Sequence, residues 1–124
     1  MTAYRSIVLE HFRHPRNRGP LADASASAEG ANPLCGDRVR VELRADNGMV
    51  AEVRFTADAC ALCIASASLV TEYARGMHLS DVSRIDLAWL YASLHGEPPA
   101  ARRRCATLPL DTLHRAIAML HAAR

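Results

Sequence analysis

Arg38-Val39-Arg40-Val41-Glu42-Leu43-Arg44-Ala45-Asp46-Asn47-Gly48-Met49-Val50-Ala51-Glu52-Val53-Arg54-Phe55-Thr56 reads as two strands joined by a tight turn. Val39, Val41 and Leu43 alternate with Arg38, Arg40, Glu42 and Arg44. That period of two marks a strand with one face in a core and the other in water. Asp46-Asn47-Gly48 is a hairpin turn, because Asn-Gly tolerates the positive φ such turns require. The return strand, 49–56, puts Ala51, Val53 and Phe55 on one face and Glu52 and Arg54 on the other.

Upstream, residues 3–14 read as a helix with Tyr4, Ile7, Val8 and Phe12 at helical spacing, stopped by Pro15. Thr2 suits its N-cap. Residues 16–36 read mostly as loop, with room for a short strand near 25–31. Downstream, 61–75 carries Leu62, Ala65, Leu69 and Tyr73 on one face and ends at Gly76. Ser80 suits the N-cap of a helix over 81–94, with Ile85, Leu87, Leu90, Tyr91 and Leu94 apolar, before Gly96-Glu97-Pro98-Pro99 breaks the chain. The last helix, 109–123, has Leu110, Leu113, Ile117 and Leu120 at helical spacing, with Pro109 in its first turn. A helix, a small antiparallel sheet and then helices predict an α+β fold, with the helices packed on one face of the sheet.

A chain of 124 residues, half of them apolar, forms a core without staples and reads as a single domain over 1–124. No internal repeat or low-complexity tract interrupts it. All fifteen basic residues are Arg, and the net charge of +2 points to neither a nucleic-acid nor a membrane partner. No apolar run approaches the roughly 18 residues of a bilayer span. The N-terminus lacks a signal-peptide pattern, so the expected location is the cytoplasm. Thiols stay reduced there, and four cysteines are expected to be ligands or reactive groups rather than two disulfides.

Three of those cysteines sit where a loop is expected to meet a regular element. Cys35 precedes the first strand of the hairpin, with Gly36 allowing the backbone to turn and Asp37 returning a carboxylate. Cys60 falls at a strand-to-helix junction, where a helix N-terminus favours thiolate. Cys105 follows Arg102-Arg103-Arg104, whose charges favour the anion. Three soft thiolates and one oxygen form a four-coordinate donor set. Cys63, three residues after Cys60, completes a Cys-x-x-Cys. A zinc ribbon needs a second such pair, and a thioredoxin-like motif needs a βαβ setting where a hairpin is expected here. Cys63 therefore reads as a core residue or spare thiol. None of the six His residues shows the spacing of a paired zinc site.

The chain resembles the NifU N-terminal, IscU and SufU family of iron–sulfur cluster assembly proteins. Four segments carry the likeness: Ile7 to Gly19 with its His14-Pro15-Arg16-Asn17 exit, Asn32-Pro33-Leu34-Cys35-Gly36-Asp37, Cys60 followed by Ile64-Ala65-Ser66-Ala67-Ser68, and Arg102 through Cys105-Ala106-Thr107-Leu108. Their order and spacing make the set far more specific than any one string. The resemblance implies the same α+β fold and a transient [2Fe-2S] cluster held by Cys35, Asp37, Cys60 and Cys105. It implies a cysteine desulfurase that delivers sulfur as a persulfide, with Cys35 and Cys105 as acceptors, and apo iron–sulfur proteins that receive the cluster. The alternative is a SufU-like sulfurtransferase holding Zn2+ on the same four residues.

Four departures from the family pattern are visible. Arg104 stands before the last Cys, as in the SufU branch, where the scaffold branch has His. The insertion usual in SufU proteins is absent. Glu97-Pro98-Pro99-Ala100-Ala101 only echoes the scaffolds' chaperone-binding segment. Ala57 and Ala59 replace two glycines and suggest a stiffer approach to Cys60.

Overall fold

A computed structural model describes residues 3–122. The expected N-cap Thr2, and residue 123 of the expected last helix, lie outside them. The chain runs α1 (Ala3–Arg13), β1 (Ala26–Asn32), β2 (Asp37–Asp46), β3 (Met49–Asp58), α2 (Ala61–Ala74), α3 (Leu79–Val82), α4 (Leu87–Ser93), a 3-10 turn over Ala100–Arg102, and α5 (Arg103–Ala122). The strands form one antiparallel sheet in the order β1-β2-β3. Alternation along β2 is as read: Val39, Val41 and Leu43 are buried under the helices, and Arg38 and Arg44 are exposed. With α2 against β3, and α5 against β1 and β2, this is the expected α+β arrangement.

Four details differ from the sequence reading. In β3, Arg44 pairs with Glu52 but Ala45 pairs with Val50, so Ala51 is the extra residue of a bulge. The bulge turns Val50 into the core, fully buried, in the place expected of Ala51. The strand anticipated near 25–31 is a full seven-residue edge strand. Its small residues, Ala26, Ala28 and Gly30, let α5 lie close: a Cβ at Gly30 would run into the Thr112 side chain and crowd Leu108 and Arg115.

The helix expected over 81–94 is two pieces. Asp86 breaks it by adopting an extended backbone and accepting from the Trp89 N–H at 2.9 Å, which makes it the N-cap of α4. Ile85 still reaches the core, and Leu87 faces outward. The last helix starts six residues earlier than read. The 3-10 turn leads directly into it, so Pro109 lies inside α5 rather than at its start. Proline there removes the N–H that would bond the carbonyl of Cys105, a local weakness one turn from the helix start.

Packing of α1 against α2 runs through a polar residue. His11, 4% exposed, places Nδ1 2.7 Å from Ser68 Oγ, while Phe12 is 40% exposed. The far edge of β3 is closed by chain on either side of it. Phe55 exchanges backbone hydrogen bonds with Asn17 and Gly19, and Val50 does so with Met77 and Gly76. That protection suits a sheet whose other edge carries α5, where Arg115 donates to the Glu29 carbonyl at 2.6 Å.

Candidate metal centre

Three segments far apart in sequence meet at one end of the sheet. The first is the β1–β2 connection. Asn32 is buried, and its carbonyl accepts from the Gly36 N–H at 2.8 Å and the Cys35 N–H at 3.3 Å. Its side-chain oxygen accepts from the Leu34 N–H at 3.2 Å. These bonds hold a tight turn in which Gly36 takes φ of +78°, a conformation that a side chain disfavours. Cys35 is thereby exposed at the tip, and Asp37, the first residue of β2, points inward at 3% exposure.

The second segment is the β3–α2 junction. Cys60 is the N-cap of α2, with an extended backbone and no side-chain capping bond. Its N–H instead donates to Asp37 Oδ1 at 2.9 Å, and its Sγ lies 3.6 Å from Oδ2 of the same carboxylate. Neither Ala57 nor Ala59 has a positive φ, so the residues standing for glycine impose no strain on this approach. Third comes the first turn of α5. Cys105 is the third helical residue rather than a loop residue ahead of the helix, and it is 2% exposed. The Ser66 hydroxyl of α2 donates to the Ala106 carbonyl at 2.5 Å, which ties that turn to the helix carrying Cys60.

The Sγ atoms of Cys35 and Cys105 are 3.7 Å apart. Two sulfurs bonded tetrahedrally to one zinc at about 2.3 Å stand about 3.8 Å apart, so this edge is already the right length. Ligand atoms of Cys35, Asp37 and Cys105 all lie within 4.8 Å of one another. Cys60 stands outside that tight group and adjoins it through Asp37. The chemistry of the donor set therefore fits a thiophilic metal ion or the iron of a cluster.

Asp37 and Cys105 shift in opposite directions. Burial alone would raise the Asp37 carboxyl. Hydrogen bonds from the Cys35 thiol, the Cys60 N–H, and the Cys105 and Cys60 thiols outweigh it and hold the carboxyl below its ordinary value. Cys105 is pushed the other way, first by burial and then by its hydrogen bonds to Asp37, Cys35 and Cys60. The lowering expected from Arg102-Arg103-Arg104 is thus overturned. These guanidinium groups are solvated, and Arg103 is paired with Glu97 at 2.6 Å. Cys63 is fully buried, and its thiol is raised chiefly by burial, with Asp37 adding to it.

Sequence reasoning missed the residues that brace this site, Asn32 under the turn and Ser66 between α2 and α5, and also Ser68, which shares a hydrogen bond with His11 between α1 and α2. Two serines in the apolar run Ile64-Ala65-Ser66-Ala67-Ser68 were the available signal, since a hydroxyl facing a core must find a partner.

The sequence profile described as the NifU-like N terminal domain matches residues 3–124. The chain is 39% identical over 114 residues to the bifunctional protein NifU/MnmA of Rubrobacter xylanophilus, covering 91% of this chain and 23% of that protein's length. It is 31% identical to the zinc-dependent sulfurtransferase SufU of Bacillus subtilis, covering 94% of this chain and 90% of the relative. It is 34% identical to the iron–sulfur cluster assembly scaffold protein IscU of Aquifex aeolicus, covering 92% and 73%. Among solved structures, the N-terminal NifU-like protein from Brucella abortus superposes with a TM-score of 0.81 at 23% identity, over 98% of this chain and 96% of that one. This last likeness establishes the fold.

Proposed function

The chain belongs to the NifU-like N-terminal domain family, and on that premise we propose that it is an iron–sulfur cluster assembly scaffold. In this reading Cys35, Cys60 and Cys105 with Asp37 hold a [2Fe-2S] cluster, which is the protein's cargo. The observation that carries it is the convergence of Cys35 and Asp37, from the β1–β2 connection, with Cys105 of α5, and Cys60 hydrogen-bonded to the same aspartate. Asp37 and Cys105 are buried there while Cys35 is exposed, so the group has inner donors and one thiol open to solvent.

Each residue has its part. Cys35, exposed on its turn, is the thiol that an incoming persulfide of a cysteine desulfurase reaches first. Cys105, 3.7 Å behind it, is the next acceptor. Asp37 supplies the hard oxygen donor. Oxygen suits cluster iron less well than thiolate does, so the fourth position exchanges easily and the cargo can pass to an apo acceptor.

A second reading is favoured by one feature of the chain: Arg104, which cannot serve as a ligand, precedes Cys105. There the four residues hold Zn2+ tetrahedrally, and the protein relays persulfide sulfur as a sulfurtransferase. Anaerobic purification followed by metal analysis and visible absorption separates the two. Bound iron with sulfide-to-iron absorption bands supports the scaffold. Stoichiometric zinc without colour overturns it in favour of sulfur transfer.

A further inference from the structure

Cys63 has no place in the four-residue site, yet it sits beside it. Cys60 is the N-cap of α2, and Cys63 is the third residue of that helix. The Ile64 N–H donates to the Cys60 carbonyl at 3.0 Å, so this first turn is regular. An N-cap side chain lies over the third helical residue, which is why capping side chains bond the N–H there. The Cys60 side chain makes no such capping bond. Both residues pack on one core, Cys63 within it at 0% exposure and Cys60 half-buried at its margin. One thiol thus meets solvent and the other does not.

We propose that Cys60 and Cys63 form a redox dithiol that reduces sulfane sulfur to sulfide. Half-exposed Cys60 takes up the sulfane sulfur, passed on from the acceptor thiols Cys35 and Cys105 or delivered directly by a small persulfide. Cys63, unreachable by an outside donor, attacks the inner sulfur of Cys60–S–SH. The Cys60–Cys63 disulfide forms, the S–SH bond breaks, and the outer sulfur leaves as hydrosulfide carrying the bonding electron pair. The Cys63 thiol proton leaves to solvent or with the sulfide. Two thiol sulfurs are oxidised by two electrons in total, and one sulfane sulfur is reduced by two. A dithiol reductant returns the pair to its starting state. The step rests on the reading that persulfide sulfur arrives at this site, and it answers a need of that reading, since a cluster is built from sulfide while a persulfide carries sulfur two electrons more oxidised. A thioredoxin-like fold is not required, because the hairpin ahead of α2 leaves the N-cap and third-residue placement intact.

The test uses the reduced protein without iron, zinc or desulfurase, mixed with stoichiometric cysteine persulfide. Tryptic cleavage after Arg54 and Arg75 yields a peptide that holds Cys60 and Cys63 and neither of the other cysteines. Wild type is expected to release hydrosulfide while that peptide loses two hydrogens. In Cys63→Ser and Cys63→Ala, the peptide should instead keep one added sulfur. Hydrosulfide release should then be at least about tenfold slower, because an internal thiol outcompetes thiols in solution. The same comparison in a Cys35→Ser/Cys105→Ser background, with folding checked by circular dichroism, removes the neighbouring thiol pair as a source of electrons. The proposal is overturned if the wild-type peptide keeps both thiols free or retains the added sulfur, or if the Cys63 variants release sulfide at the wild-type rate. Metal analysis of the untreated protein tests the scaffold reading separately, so the two can fail independently.

Discussion

Asp37 accepts the backbone N–H of Cys60 at 2.9 Å through one carboxylate oxygen and faces the Cys60 thiol at 3.6 Å through the other. One side chain thus positions a candidate ligand and is itself a candidate ligand. Removing it does two things at once, and the choice of substitution separates them.

Asp37→Ala should hold a reconstituted cluster longer and pass it on more slowly, because the easily exchanged oxygen donor is gone. It also leaves the Cys60 N–H without a partner, at a cost of about 1–3 kcal/mol. Asp37→Asn keeps an acceptor for that N–H while weakening the ligand, so it should recover stability but keep the slow transfer. Transfer to an apo-ferredoxin followed by absorption, together with urea unfolding, reads both effects. Faster transfer from either variant contradicts the role assigned to Asp37.

Serine at Cys35, Cys60 or Cys105 should weaken metal or cluster binding by well over about 10-fold, since even loss of partners behind a ligand costs roughly 10–100-fold. Cys63→Ser should keep its metal, because that thiol is fully buried in the core and, among the described residues, does not join the close group of Cys35, Asp37 and Cys105. Metal content after gel filtration is the measurement. Equal loss in Cys63→Ser would reassign the ligands.

Stability should fall as pH drops through the range set by His11. Burial, reinforced by the Arg16 charge and opposed by Glu72 and Glu10, lowers its pKa below the ordinary 6.5. The unfolded chain therefore takes up a proton first. Stability is constant above about 6.5, declines between that value and the folded pKa, and levels off below it. Urea midpoints across this range should show the decline in wild type and lose it in His11→Asn. An unchanged slope in the variant would place the titration elsewhere.

Chelation should loosen the site without unfolding the protein. Phe55, Leu43, Leu90, Leu94, Leu113 and Ile117 belong to a fully or almost fully buried core that extends well beyond the cysteines around Asp37. Amide exchange should quicken near residues 35, 60 and 105 and remain slow in β2 and α5. Loss of all protection on chelation would make the metal a structural staple instead.

Local pattern determined much of this molecule. Alternation of Val39, Val41 and Leu43 with charged residues, and the Asn47-Gly48 turn, specify the β2–β3 hairpin from within the segment itself, because strand faces and turn φ values depend on near neighbours. The ordered Cys and Asp segments pointed to the candidate site residues and to the family for the same reason: each lies in a short recognisable string. What the sequence hid depends on contacts between distant segments. The bulge at Ala51 brings Val50 into the core, Asp86 divides one apparent helix into two, and α5 runs through Pro109 under packing from α2 and β1. Burial rather than the neighbouring arginines governs the Cys105 thiol, because an exposed guanidinium is screened by water and a carboxylate hydrogen-bonded to the buried thiol is not. The 3.7 Å approach of Cys35 to Cys105, seventy residues apart, exists only once the sheet and α5 have packed.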